Sequence, residues 1–265
     1  MSNKGDIFLI AHPRSGTHAL TSRFAQKPDI FVFGEIFNPA PDSEIYPSNY
    51  YHFLRAMQDT PLPSPKNAET RFNAYMSYLK GRARDLRFLV DIKYDTLHLF
   101  DIEHRELAQA PGIFTFLIKH NLPIVHLKRN VLHVYFSHLH AMTTNQWQLV
   151  EGEQAKKQML NVDIDDMLDF LERKTFELAQ VSKFVRGTDS YIEVWYEDLF
   201  GPNNAPAWER LSEFVAVENL GGEQSTFKKQ ITTPYEQLIE NYDQVARAVR
   251  HSPHAHLLEP ARSFA

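Results

Sequence analysis

Short, unbroken apolar runs alternate with longer stretches in which apolar residues recur every three or four positions. The runs are 7–11 (IFLIA), 30–33 (IFVF), 87–92 (RFLVDI), 123–127 (PIVHL) and 191–195 (YIEVW). A run this short and this apolar reads as a strand covered on both faces, the habit of parallel sheets. Residues 163–186 carry Ile164, Met167, Leu168, Leu171, Leu178 and Val181 at helical spacing and predict the longest helix. Further helices are predicted over 17–26, 71–84, 131–143 and 208–217, whereas 220–233 is polar and reads as loop. Strands alternating with helices predict an α/β fold, with a central, mostly parallel sheet of four to five strands flanked by helices.

One stretch breaks the pattern. Prolines 39, 41, 47, 61, 63 and 65 interrupt regular structure, so 39–65 is expected to be an insertion or lid around a short helix near 50–57. No internal repeat is visible, and a single domain over 1–265 is the expectation.

Composition removes several function classes. The chain has 265 residues, 43 % of them hydrophobic and 23 % charged, as globular proteins do. A formal net charge of −5 argues against bulk nucleic-acid binding, which wants a basic excess, but leaves room for a local basic pocket. The absence of cysteine excludes disulfides, thiolate metal sites and cysteine nucleophiles. No segment has the roughly 18–20 apolar residues of a membrane span, and 7–11 is too short for a signal peptide. A soluble, cytoplasmic protein is expected.

The chemistry concentrates after the first and fourth strands. HPRSGTHAL (12–20) lies between a strand and a helix, where backbone amides and a basic side chain make an anion site. It lacks the GxxxxGK[ST] pattern of the triphosphate loop, and by itself it equally fits a tight turn with a Ser or Thr cap. LKRNVLHVYFSHLHA (127–141) puts Arg129 at the head of a helix and Ser137, eight residues on, about two turns in.

These two motifs, in this order, resemble the sulfotransferases that use 3′-phosphoadenosine 5′-phosphosulfate (PAPS), whose fold is like that of P-loop NTPases. PRSGT is most similar to the loop of the bacterial carbohydrate- and lipid-directed branch. The resemblance implies that Arg14 meets the phosphosulfate while Ser15, Gly16, Thr17 and His18 hold the 5′-phosphate. His18 departs from the usual Thr or Ser, which removes a side-chain hydroxyl there. It implies that Arg129 and Ser137 read the 3′-phosphate, helped by Lys228 and Lys229 of FKKQ, and that PAP is the product. WYEDLF (195–200) and IENYDQ (239–244) resemble a corner and a terminal helix of the same family.

The resemblance also implies Glu35, in FGEIFN, as the base for the acceptor hydroxyl, and Lys93, in DIKYD, as a strand-end ammonium at the sulfonate. His12, His18 and His98 are rival bases. No metal is implied. The acceptor expected by likeness is a saccharide or glycolipid hydroxyl, with Tyr46, Tyr50, Tyr51 and Phe53 available either to stack on a sugar or to serve as core. Two rivals stay open. A nucleoside or nucleotide kinase would need a lysine after the glycine and an Mg²⁺ ligand set. A nucleotide-binding module without turnover would keep the loop and lose the base.

Overall fold

Strand β1 (Ile7–Ala11) is buried along its whole length, and its side chains divide between two cores. Ile7, Leu9 and Ala11 face one, Phe8 and Ile10 the other, as the two-residue period of a strand requires. The structure, a computed structural model, describes residues 5–38, 48–57, 68–100 and 110–259.

β1 lies at the centre of a five-stranded sheet in the order β2-β3-β1-β4-β5, with every pairing parallel. The other strands are β2 (Ile30–Glu35), β3 (Arg87–Lys93), β4 (Ile124–Lys128) and β5 (Tyr191–Trp195). The α/β sheet expected from the sequence is therefore present with five strands. Chain direction across the sheet reverses beside β1: β2 and β3 lie to one side, β4 and β5 to the other. Open α/β sheets bind ligands at such a point, outside the carboxyl ends of the strands.

The helices are α1 (Thr17–Phe24), α2 (Tyr50–Ala56), α3 (Ala68–Arg82), α4 (Gly112–Lys119), α5 (Val131–Thr144), α6 (Ile164–Val185), α7 (Tyr196–Phe200), α8 (Ala205–Val215), α9 (Tyr235–Leu238) and α10 (Tyr242–Arg250). α3 and α4 cover the Phe8 face, and α1 and α8 the Ile7 face. A third core joins α5, α6 and α10. α5 and α6 begin where capping chemistry puts them. Asn130 accepts from the amides of Leu132 and His133, and Asp163 from those of Asp165 and Asp166. α8 starts three residues before the predicted 208, because Pro206 suits a first helical turn.

β2 runs on from the apolar run through Gly34 and closes on Glu35, as the sequence suggests. A bulge at Phe33 lets this happen: Val32 pairs Leu89, Gly34 pairs Val90 and Glu35 pairs Asp91. Gly34 has φ +73°, a left-handed conformation that glycine adopts without a Cβ penalty.

Of the proline-rich stretch, 39–47 (with Tyr46) and 58–65 lie outside the described residues. Within the described part, Tyr50 is buried against Phe37, Phe72 and Tyr75, and Phe53 packs on Tyr75 and Tyr78. Both are core residues and not sugar-stacking surfaces; Tyr51 alone of the described candidates is exposed. Among the described residues no helix is long and apolar enough to cross a membrane.

Candidate functional site

At the carboxyl ends of β1, β3 and β4 the chain encloses a cleft of about 580 Å³. Its floor is the loop after β1. Ser15 N donates to His12 O at 3.3 Å, closing a tight turn, and Gly16 caps α1 with φ +87° and no side-chain cap. The first amides of α1 are thus free of a capping side chain at the positive end of the helix dipole. Gly16 is required twice over. Its φ is left-handed, and a Cβ there would lie 2.5 Å from the ring of Tyr196, which stands behind the loop. That contact gives the YEDL corner its place: Tyr196 supports the turn and also lines the cleft.

Arg14 occupies the turn with φ +68°, a strained conformation for a side chain of its size. Its guanidinium donates to Ser137 Oγ at 3.3 Å, to Trp147 O and to Gln230 Oε1. Burial, and then the charge of Arg129, pushes Arg14 down to about 10, which leaves it cationic at neutral pH. Arg129, 9 % exposed, donates from Nη1 to Arg14 O at 2.7 Å and lies 4.5 Å over the Tyr196 ring. Sequence reasoning divides Arg14 from the Arg129–Ser137 pair, one for each end of the donor. The structure joins them: α5 delivers Ser137 to the Arg14 side chain itself.

The other wall is built by β2 and β3. Lys93 Nζ donates to Thr17 Oγ1 at 2.6 Å and to Asp91 Oδ2 at 2.5 Å, and lies 3.6 Å from Glu35 Oε1. Asn38 Nδ2 donates to the other Glu35 oxygen at 2.8 Å. Lys93 is therefore not a free ammonium but is held between two carboxylates. Burial pushes the Asp91 carboxyl up, and Lys93 beside it pulls it back. Asp91 is one residue of the site that sequence reasoning missed. The signal was available: Asp91 and Lys93 are two apart on one strand and so share a face.

Most of the expected residues meet here. Arg14, Gly16, Thr17, His18, Glu35, Lys93, Arg129, Ser137, Lys228 and Lys229 all line the cleft. Ser15 does not. It is 1 % exposed. His98, a rival base, lies on the exposed side of a 3₁₀ turn (Tyr94–Leu99) and does not line the cleft. His12 is buried, its ring tilted against that of Tyr94 at 4.1 Å and bonded to Lys174 O, with burial pushing it down to about 3. Of the histidines weighed as bases, His18 alone lines the cleft, stacked on Phe227 at 5.2 Å, and burial lowers its pKa.

A strap closes the outer side. Lys228 N donates to Leu149 O at 2.8 Å, Glu151 N to Thr226 O at 3.2 Å, and Gln230 Nε2 to Gln146 O at 2.7 Å. This pairing brings Lys228 and Lys229 to the cleft; burial and then Arg129 lower the pKa of Lys229. Trp147 and Gln230, neither foreseen from sequence, come with the same strap. The lining holds five cationic side chains, Arg14, Lys93, Arg129, Lys228 and Lys229, against one carboxylate, Glu35. On a chain of net charge −5, that concentration builds a pocket for a polyanion. Among the described residues, no group of three or more His, Cys, Asp or Glu is placed to hold a metal ion.

The fold resembles several solved structures. Over 98 % of this chain and 90 % of the other, at 13 % identity and TM-score 0.49, it is similar to mouse sulfotransferase SULT7A1 complexed with PAP. The sulfotransferase domain of the Synechococcus PCC 7002 olefin synthase is 16 % identical over 100 % of this chain and 89 % of that one, with TM-score 0.48. Thymidylate kinase from Candida albicans is 12 % identical over 86 % of this chain and 100 % of that one, with TM-score 0.36. No protein-family model and no curated protein matches the sequence. What the cleft can do is set by its own residues.

Proposed function

We propose that the protein is a PAPS-dependent sulfotransferase that moves a sulfuryl group to a hydroxyl of a saccharide or glycolipid, releasing PAP. One observation carries the reading. The uncapped start of α1 with Arg14, Arg129 just before α5 and Ser137 on α5 meet in one cleft lined by five cations, with Arg14 bonded to both Ser137 and Arg129. A donor with phosphate at both its 3′ and 5′ positions brings more negative charge to these cations than an ordinary mononucleotide does. The acceptor class rests on the likeness of the PRSGT loop, and a cytoplasmic setting belongs to the same proposal.

In this mechanism the acceptor oxygen attacks sulfur, the S–O bond to the 5′-phosphate breaks, and the electron pair leaves with PAP. Glu35, at the end of β2, takes the acceptor proton. Lys93, 3.6 Å from Glu35, presents positive charge to the transferring group, where it counts most in a partly dry site. The neutral partners of Arg14, namely Ser137, the Trp147 carbonyl and Gln230, give way to anionic oxygens, which form stronger, charge-assisted bonds.

Calorimetry with PAP and with 5′-AMP tests the reading. Each charged hydrogen bond to the extra phosphate is worth about 1.5–3 kcal/mol, so PAP binds at least roughly tenfold tighter. Equal affinity for the two removes the sulfotransferase reading. Sulfur-labelled donor incubated with sugars, glycolipids, phenols and steroids then identifies the acceptor class.

A further inference from the structure

Lys93 ends in a seat of hard oxygen atoms. Its ammonium touches Thr17 Oγ1 and Asp91 Oδ2, with Glu35 Oε1 at 3.6 Å. Asp91 is 2 % exposed, and its Oδ1 makes no hydrogen bond. Thr17 is the first residue of the helix after β1, and Asp91 lies near the end of β3, the parallel neighbour of β1. A loop hydroxyl and a strand carboxylate so placed are the donors that hold Mg²⁺ in P-loop phosphoryl-transfer enzymes. Small divalent cations take oxygen donors of this kind, one or two carboxylates with water completing the shell. Here the same donors surround an ammonium tethered to the chain. Two carboxylates left with no cation between them, one of them buried, repel each other and carry a desolvation cost that either a bound cation or protonation of one carboxyl relieves, so the two compete in the absence of the lysine.

We infer that Thr17, Asp91 and Glu35 form a divalent-cation seat whose resident cation is the Lys93 ammonium, and that removing the lysine turns the seat into a Mg²⁺ or Mn²⁺ site. The inference deepens the proposed function, because the ammonium then supplies in transfer the charge that a metal supplies in a kinase. Asp91 is a positioning residue, acting through Lys93.

The test uses the full chain with Lys93→Ala, titrated with Mn²⁺ and followed by the paramagnetic resonance of the free ion. The variant is expected to bind about one Mn²⁺ per chain, about tenfold or more tighter than the unsubstituted protein. Mn²⁺ should raise the melting temperature of the variant only, since a ligand of the folded state stabilises it. Lys93→Ala combined with Asp91→Asn should lose both effects. A folded Lys93→Ala protein with no tighter Mn²⁺ uptake overturns the inference, as does uptake indifferent to Asp91→Asn. Should Lys93→Ala not fold in EDTA, refolding is attempted with Mn²⁺ present. Recovery of the native circular dichroism in Mn²⁺ supports the seat, and failure to recover overturns it. None of these readouts needs donor or acceptor, so a failed PAP titration counts against the proposed function alone.

Discussion

Arg129 and Glu35 stand on opposite walls of the cleft, and their roles separate in measurement. Arg129→Ala removes a nearly buried guanidinium from the turn between β4 and α5. One charged hydrogen bond lost from a bound phosphate raises the dissociation constant of PAP by roughly 10–150-fold. Glu35→Gln keeps the shape of the side chain and a partner for Asn38 but cannot accept a proton. It should leave PAP binding nearly unchanged while single-turnover transfer falls by about 100- to 10,000-fold. Near-normal transfer in the Gln variant moves the base to His18, the rival that also lines the cleft.

Among the elements, β2 and α6 show how local chemistry reaches the site. In an unbroken ladder Glu35 would pair one residue later, opposite Ile92, and turn to the other face of the sheet. The bulge at Phe33 pairs it with Asp91 instead, on the face that Lys93 shares. Gly34→Ala opposes the φ of +73° that the bulge requires and is expected to cost about 1–3 kcal/mol. Urea unfolding measures this, and an unchanged midpoint would falsify the left-handed bulge. At α6, Asp163→Ala removes a cap that accepts two amides, at 3.0 and 3.1 Å. A loss of about 0.5–2 kcal/mol is expected in the same experiment, with PAP binding unaffected.

Across the whole molecule, a polar chain centred on the buried His126 ties stability to pH. Tyr94 OH meets His126 Nε2, His126 Nδ1 meets Tyr191 OH at 2.8 Å, and Tyr191 donates to Glu193 at 2.5 Å. Lys128 closes the chain on Glu193 at 2.6 Å. Burial pushes both His12 and His126 down to about 3. The unfolded chain protonates these rings near their ordinary value of about 6.5, and the folded chain does not. Their contribution to stability is therefore complete above about 6.5 and is lost as pH falls toward 3. The slope is about 1.4 kcal/mol per pH unit for each ring. Burial opposes the charge of Glu193, but bonds from Lys128 and Tyr191 hold it down at about 2, so its loss begins only below its ordinary value of about 4.5. Between pH 6.5 and 5 the histidines dominate, and the unfolding free energy measured with urea should fall across that window by up to roughly 4 kcal/mol in total. A flat profile there would mean that both rings accept a proton in the folded protein, and a slope halved would mean that one does.

The sequence alone determined the strands, the principal helices and the two anion motifs, because each is written in neighbouring residues. IFLIA is apolar on both alternating faces and can only be a covered strand; Asp163 and Asn130 carry their caps in their own side chains. Arg14, Arg129, Ser137 and Glu35 were singled out through the resemblance of their motifs to the sulfotransferases, and the fold brings all four to one cleft. The tertiary structure decided which of these groups touch. The bulge that orients Glu35, the meeting of Arg14 with Ser137 across 123 positions of sequence, and the burial of Ser15 all depend on register and packing. So does the seat that binds Lys93 to Thr17 and Asp91: the pairing of β1 with β3 sets Ala11 beside Lys93, and no local pattern records which strands become neighbours.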